Sequence, residues 1–180
     1  MFISFEGVDG CGKSTLSKKL AEELGFFWTK EPTFTSEEAD ALNLGSKNDI
    51  QREIEFAVDR IKHMGSVLKP CDNVICDRYI WTGLAYCSMY NPSAYPFAEA
   101  LYKHEFFLKP DVYIFVDTPL DTCWERRQVQ PLEHLTKIRD VFIQTKPIIE
   151  KDSKIITIQG TGSIEDCILD LKKQLWFLYE

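Results

Sequence analysis

The sequence contains no apolar run as long as a membrane span and no pair of cysteines in a C-x-x-C arrangement. The first absence argues against a transmembrane helix, which needs about 20 consecutive apolar residues. The second, with no histidine at ligand spacing, leaves neither a zinc site nor a redox motif indicated. The six cysteines are therefore expected to be buried, reduced thiols in a cytoplasmic protein. No signal peptide is expected, because Phe2 already belongs to the first predicted strand.

Positive charge is also scarce. The chain has 21 Lys and Arg against 28 Asp and Glu, a formal net charge of −7. General nucleic-acid binders and membrane-surface binders need a basic face, so neither class is expected. An Asn-Lys-x-Asp guanine motif is missing as well, which argues against a GTPase. Any phosphate ligand must therefore be held by a local group of lysines and arginines.

What is present suits one globular domain over residues 1–180, with 44% hydrophobic and 27% charged residues. Strand-like and helix-like segments alternate, which predicts an α/β fold with a five-stranded, mostly parallel sheet flanked by helices. The predicted strands are residues 2–5, 26–29, 73–77, 111–117 and 154–158. The predicted helices are residues 13–24, 35–44, 49–68, 81–90, 97–107, 119–127, 134–150 and 164–178.

The long helix predicted over residues 49–68 has apolar residues at spacings of three and four, which indicates a core-facing stripe. The stripe consists of Ile50, Ile54, Ala57, Ile61, Met64 and Leu68. Phe56 and Arg60 lie one turn apart on a different face. Together they could stack on a planar base and bond its edge. The alternative is a partly buried Phe56 beside a solvated Arg60.

The motif Gly7-x-x-x-x-Gly12-Lys13-Ser14 directly follows the first predicted strand and directly precedes a helix, as in a P-loop. Backbone N–H groups of such a loop wrap a triphosphate. Lys13 is expected to reach the β and γ phosphates, and Ser14 to bind Mg²⁺. A chance glycine turn before an ordinary helix is the alternative. The predicted ATP-binding residues here are Gly7, Val8, Asp9, Gly10, Cys11, Gly12, Lys13, Ser14 and Thr15.

Asp77 and Arg78 stand at the end of the third predicted strand. In an open α/β sheet, ligands bind at the carboxyl ends of strands, so both side chains are expected near the phosphates. Asp77 is a candidate for holding Mg²⁺ directly or through water, and Arg78 for clamping a second phosphate. A purely structural Asp–Arg pair is the competing interpretation.

Taken together, these residues make the chain resemble the thymidylate kinases of the P-loop nucleoside monophosphate kinase group. The matching motifs are Phe5-Glu-Gly-Val-Asp-Gly-Cys-Gly-Lys-Ser-Thr15, Glu31-Pro32, Phe56-x-x-x-Arg60, Asp77-Arg78-Tyr79, Thr82-x-x-Ala85-Tyr86, Lys109-Pro110-Asp111 and Val116-Asp117. The resemblance implies a P-loop kinase fold. It also implies Mg²⁺-dependent transfer of the γ-phosphoryl group of ATP to the 5′-phosphate of a deoxynucleoside monophosphate, dTMP.

The resemblance also implies roles for individual side chains. Phe56 matches the aromatic residue that stacks on thymine, Arg60 the arginine that bonds the base edge, and Arg78 the residue that grips the acceptor phosphate. The implied acceptor-binding residues are Asp9, Glu31, Pro32, Phe56, Arg60, Arg78, Thr82 and Tyr86. The implied catalytic residues are Asp9, Lys13, Arg78, Arg126 and Arg127. Arg126 matches an arginine that packs against adenine, and Arg127 is an equally good candidate.

The chain departs from the family pattern at several positions. Lys30 replaces the usual arginine before Glu-Pro, and Cys87 replaces a common glutamine. The lid is shortened to a segment at about residues 126–134, and no arginine stands in the P-loop, so the lid arginine must be Arg126 or Arg127 or come from elsewhere in the chain. The family commonly forms dimers through helices, for which the helix from Asp49 is a candidate.

Three functions remain open on the sequence. The first is a dTMP kinase. The second is a kinase for another, modified or non-thymine deoxynucleotide or for a deoxynucleoside. The third is a non-catalytic nucleotide-binding regulator.

Overall fold

A computed structural model describes residues 1–128 and 130–176. Its sheet contains β1 (Phe2–Glu6), β2 (Phe27–Lys30), β3 (Val74–Asp77), β4 (Val112–Val116) and β5 (Lys154–Ile158). The strand order is β2-β3-β1-β4-β5, and each neighbouring pair is parallel. The predicted five-stranded sheet is confirmed.

Burial follows the position of each strand in the sheet. Every residue of β1, β3 and β4 is buried, whereas the edge strands β2 and β5 are partly exposed. Helices cover both faces of a parallel sheet, which accounts for the burial of every residue in its inner strands.

Eight α-helices connect and flank the strands in the described ranges. They are α1 (Lys13–Leu24), α2 (Ser36–Ala41), α3 (Asp49–His63), α4 (Ile80–Tyr90), α5 (Tyr95–Lys103), α6 (Leu120–Arg126), α7 (Leu132–Ile149) and α8 (Ile164–Leu175). Thr35 and Asn48 form capping boxes that begin α2 and α3. The predicted end of the last helix, Leu178, lies outside the described residues. Over residues 1–128 and 130–176, no helix has the length and apolarity to cross a bilayer.

The predicted core stripe of the long helix is wrong at three of its six positions. Ile50, Ile54 and Ile61 are 47%, 44% and 39% exposed. Ala57 is buried, as are Met64 and Leu68 in the π-helical turn 64–68 that continues α3. The inward face of α3 instead presents Glu53, Arg60 and His63 among its buried residues. Apolar periodicity assigned the wrong face because the inward face carries charged side chains that bond to Glu31 and Asn91 from other parts of the chain.

The carboxyl ends of β1, β3 and β4 meet at one edge of the sheet, with Phe5 in register with Asp77 on one side and Ile114 on the other. The loops that follow these strands therefore converge. Thr118, just after β4, donates from Oγ1 to the carbonyl of Cys11 at 2.8 Å and accepts from Gly160 N at 3.1 Å. The glycine-rich loop after β1 is thereby held against its neighbours.

Candidate active site

The loop between β1 and α1 has the backbone that a P-loop requires. Gly10 has φ +79°, and a Cβ there would lie 2.1 Å from the carbonyl oxygen of Cys123. Any side chain at position 10 would therefore collide with α6 as well as strain the backbone. Gly12, with φ +102°, begins α1, whose first N–H groups favour an anion. The glycines thus allow the loop to pack closely against α6, and they leave its N–H groups accessible to phosphate.

Lys13 is buried in this loop, and its Nζ donates to the carbonyl of Val8 at 3.0 Å. Burial lowers the pKa of Lys13, and the like charge of Arg78 lowers it further, whereas Asp9 and Asp77 oppose the shift. These interactions place Lys13, Asp77 and Arg78 at one site. The sequence predicted this gathering at the carboxyl ends of the strands.

Asp9 is the centre of a group of three cations. Its Oδ1 accepts from Arg78 Nη2 at 2.6 Å and lies 3.9 Å from both Lys13 Nζ and Arg127 Nη1. Burial alone would raise the pKa of Asp9, but Arg78, Lys13 and Arg127 together hold it below its usual range. Asp9 therefore remains ionised and pairs with these cations.

Arg78 has φ +74°, a left-handed conformation that is rare outside glycine. Such a backbone costs on the order of 1–3 kcal/mol and persists only where its surroundings hold it. Here Arg78 N donates to the carbonyl of Phe5 at 2.9 Å, and the guanidinium packs 5.2 Å from the ring centre of Tyr86. The conformation directs the side chain to Asp9.

The two arginines at the end of α6 lie at different points of the site. Arg126 Nη1 is 3.8 Å from the position that a Cβ on Gly12 would take, beside the phosphate-binding turn. Arg127, which is 60% exposed at its side chain, reaches Asp9. Within the predicted lid segment, Val129 lies outside the described residues.

Asp77 and Ser14 are the predicted metal-binding residues. Asp77 is buried, and its Oδ1 has no hydrogen-bond partner among the described residues, which suits a carboxylate that binds a cation. Ser14 lies in the first turn of α1. In the described part of the chain, no group of three or more His, Cys, Asp or Glu side chains forms a metal site. Mg²⁺ commonly takes one or two protein ligands and completes its shell with phosphate and water, so these residues fit it.

A cavity of about 600 Å³ opens beside the cation group. It is lined by Glu31, Pro32, Phe34, Ala39, Leu44, Arg52, Glu53, Phe56, Asp59, Arg60, Arg78, Tyr79, Thr82, Gly83, Tyr86, Tyr90 and Asn91. All of the predicted acceptor-binding residues except Asp9 are in this set. Asp9 adjoins it through Arg78 and through Tyr86, whose hydroxyl donates to Asp9 Oδ2 at 3.4 Å. The cavity has the size and the aromatic walls of a nucleotide site.

Arg60 is only 5% exposed, so the alternative of a solvated arginine is wrong. Its Nε donates to Glu31 Oε2 at 2.7 Å, and His63 Nδ1 is 2.9 Å from Glu31 Oε1. The guanidinium also packs against Gly83, where a Cβ would lie 3.1 Å from Nη2. Arg60 Nη1 is buried without a partner among the described residues. Arg60 is thus a fixed cation in the cavity wall, with one buried donor that no described residue uses.

Glu6 is a functional candidate that the sequence analysis did not identify. It is fully buried at the end of β1, and its carboxylate accepts from Ser4 Oγ at 2.8 Å and from the N–H groups of Tyr79 and Thr82, both at 3.0 Å. Burial raises the pKa of Glu6 to about 7, although Thr82, Ser4 and Arg78 oppose the shift. Glu6 therefore ties β1 to the start of α4. An acidic residue in an otherwise apolar strand was the available signal.

We expect Glu6 to make stability depend on pH. Because its pKa rises from 4.5 to about 7 on folding, the folded chain binds more protons between these values, and stability falls as pH rises through them. Relative to Glu6→Gln, the unmodified chain should lose about 3 kcal/mol between pH 4.5 and pH 8. Urea unfolding across this range measures the difference. Glu22→Gln, at an exposed position on α1, is the control, and a pH-independent difference for Glu6→Gln would contradict the expectation.

Three other cavity residues were also missed. Arg52 Nη1 donates to Asn91 Oδ1, and Asn91 Nδ2 donates to Glu53 Oε1 at 2.8 Å. Burial raises the pKa of Glu53, which is 4% exposed. Glu53 stands one turn before Phe56, which was a local signal. Asn91 follows α4 and reaches α3 only through the tertiary fold.

Three comparisons with known proteins point to one family. The family model described as thymidylate kinase matches residues 5–169. A probable thymidylate kinase of Methanocaldococcus jannaschii is 32% identical over 178 residues, covering 92% of this chain and 90% of that protein. A thymidylate kinase of Mycoplasmopsis agalactiae is 31% identical over 205 residues, covering 98% and 94%. The crystal structure of thymidylate kinase from Ehrlichia chaffeensis superposes with a TM-score of 0.71 at 26% identity, covering 98% of each chain.

Proposed function

The chain belongs to the thymidylate kinase family, and we propose that it transfers the γ-phosphoryl group of ATP to dTMP, giving ADP and dTDP. The observation that carries this proposal is the position of Lys13, Arg78 and Arg127 around Asp9. These cations stand between the P-loop and the cavity of about 600 Å³. One nucleotide is held on each side, and the reacting phosphates meet between them.

Catalysis in this site rests on positioning and charge neutralisation. Lys13 contacts the β and γ phosphates of ATP, and Arg78 turns from Asp9 to the acceptor phosphate. Arg127, at the mouth of the site, neutralises the group in transfer, whereas Arg126 lies with the donor nucleotide beside Gly12. The acceptor atom is already a phosphate oxygen, so no general base is needed.

Ser14 and Asp77 are proposed to hold Mg²⁺ with the triphosphate, where the ion would neutralise charge on the β and γ oxygens. The orphaned Oδ1 of Asp77 supports this role. The six cysteines are free thiols, which supports a cytoplasmic location for the enzyme.

A panel of acceptors tests the reaction. Mg-ATP is supplied with dTMP, dUMP, dCMP, UMP or thymidine, and ADP release is measured. We expect the highest kcat/KM with dTMP. A different best monophosphate would overturn the thymine assignment but keep the kinase class, and thymidine as best acceptor would make the chain a nucleoside kinase. No ADP with any acceptor would favour a regulatory binder.

We also propose a homodimer through α3. Its outward face carries Ile50, Ile54, Val58 and Ile61, all at least 39% exposed and at helical spacing. A second copy of the chain is the proposed partner, because an apolar stripe of this kind is rarely left in water.

Ile54→Glu should convert the dimer to a monomer in sedimentation velocity, because it places a charge in the centre of the stripe. Ile143→Glu, on α7 and 48% exposed, is the matched control and should not change the sedimentation coefficient. A monomeric unmodified chain, or equal effects of both substitutions, would contradict the proposal.

A further inference from the structure

The far end of the acceptor cavity contains a polar group for which the family motifs provide no role. Glu53, Asn91 and Arg52 form it, with Cys87 at the position where a glutamine is common. Glu53 and Asn91 are 4% and 3% exposed. Burying a carboxylate and an amide beside an apolar cavity is costly, so a role in binding would account for keeping them there.

The hydrogen bonds fix the orientation of the Asn91 amide. Arginine can only donate, so the atom facing Arg52 must be the carbonyl oxygen Oδ1. The amide nitrogen therefore faces Glu53, and one of its two hydrogens is used there at 2.8 Å. The second hydrogen remains available as a donor.

The Glu53 carboxylate also keeps accepting capacity. A carboxylate has about four lone-pair positions, and Asn91 Nδ2 occupies one of them, whereas the Cys87 thiol donates to the backbone carbonyl of Asn91 at 3.6 Å. Glu53 lines the same cavity as Arg60, whose Nη1 is an unpartnered donor. The wall thus carries a donor, an acceptor and a second donor.

The helix spaces these groups for a ring stacked on Phe56. Glu53 precedes Phe56 by three residues and Arg60 follows it by four, so each stands about 5 Å along the axis from the aromatic residue. If a base stacks on Phe56, one end of its edge faces Arg60 and the other end lies nearer Glu53. Asn91, at the end of α4, bonds to Glu53.

We propose that Glu53 and Asn91, with Arg60, read the edge of a pyrimidine-2,4-dione: Arg60 donates to O4, Glu53 accepts from N3–H, and Asn91 donates to O2. This inference rests on the proposed function, since it takes the base of the acceptor to lie in the cavity. Thymine and uracil present acceptor, donor and acceptor along this edge. Cytosine has a donor amino group in place of O4 and an acceptor N3 without hydrogen in place of N3–H. Its amino group would therefore face the donor Arg60, and its N3 would face the acceptor Glu53.

Binding of dTMP, dCMP and N3-methyl-dTMP by calorimetry tests the proposal. The unmodified chain should bind dTMP more tightly than either analogue, because both lack the N3–H. In Glu53→Gln the amide can turn and donate to cytosine, so the preference for dTMP over dCMP should fall about 10- to 100-fold, as for a hydrogen bond to a charged group. The preference of Glu53→Gln for dTMP over N3-methyl-dTMP should fall by a similar factor. Each preference is a ratio within one variant, so it does not depend on the fraction of active protein.

Glu55→Gln is the control, because Glu55 stands on the same helix but pairs with Lys47. It should keep every ratio. Equal weakening of all three ligands in Glu53→Gln, or equal affinity of the unmodified chain for dTMP and N3-methyl-dTMP, would overturn the proposal. If Glu53→Gln does not fold, Asn91→Ala replaces it and must likewise reduce the preference for dTMP over N3-methyl-dTMP, because Glu53 loses its orienting bond.

ADP release measured in parallel separates the two proposals. If dTMP is phosphorylated but the variants keep the binding ratios of the unmodified chain, only the proposed recognition of the base edge is overturned. The expected binding ratios without any ADP would overturn only the kinase reaction.

Discussion

Lys13→Ala should lower kcat for dTMP phosphorylation by about 10²- to 10⁴-fold while the chain stays folded. Lys13 is the buried cation of the P-loop, and its Nζ donates to the backbone carbonyl of Val8 and lies 3.9 Å from Asp9 Oδ1. When ATP is bound, the same ammonium neutralises charge that grows on the β and γ phosphates. Its removal therefore costs more in the transition state than in the ground state.

Single-turnover and steady-state ADP release measure the loss, and thermal unfolding checks the fold. Lys19→Ala is the matched control, because Lys19 is on the same helix and faces Glu23 in a surface pair at 3.8 Å. Such pairs contribute little, so kcat should be unchanged. Full activity in Lys13→Ala would refute the assigned role.

Arg60→Ala should weaken dTMP binding by about 10- to 100-fold, with a much smaller effect on ATP. Arg60 lines the acceptor cavity and has a buried donor with no partner among the described residues, and the P-loop is formed by other elements. The same substitution should destabilise the fold by roughly 3–5 kcal/mol, because it leaves the Glu31 carboxylate buried beside His63 without its cation.

Calorimetric titration with dTMP and with ATP separates the two sites, and urea unfolding measures the stability. Arg139→Ala provides the control: it removes a bidentate arginine–carboxylate pair with Asp117 that is partly exposed and outside the cavity. Arg139→Ala should leave the affinities for dTMP and for ATP unchanged. Equal losses of dTMP and ATP affinity in Arg60→Ala would contradict recognition of the base by Arg60.

The sequence predicted the sheet well because its signals are local. Strands β1, β3 and β4 are mostly apolar and are buried along their whole length, as expected for strands that helices cover on both faces. The P-loop was predicted equally well, because the motif that defines it lies within eight consecutive residues, Gly7 to Ser14. Residues that directly follow a strand, such as Arg78, lie at the edge of the sheet where that strand ends, so the sequence predicts their position.

The face of α3 was predicted incorrectly for a physical reason. Ile50 and Ile54 form a better apolar stripe than the residues that turn inward, but the inward face meets Glu31 and Asn91 from distant parts of the chain. Periodicity along one helix contains no information about which partners the fold brings to it. The outward stripe is instead the proposed contact with a second copy.

By itself, the sequence determined the order of strands and helices, the phosphate-binding loop and the family, because each depends on residues close together along the chain. Only the tertiary structure decided which buried charges face one another: Asp9 among Lys13, Arg78 and Arg127, and Glu53 with Asn91 across the cavity. The cost of burying a charge depends on partners that folding brings from far along the chain, so local patterns cannot reveal it.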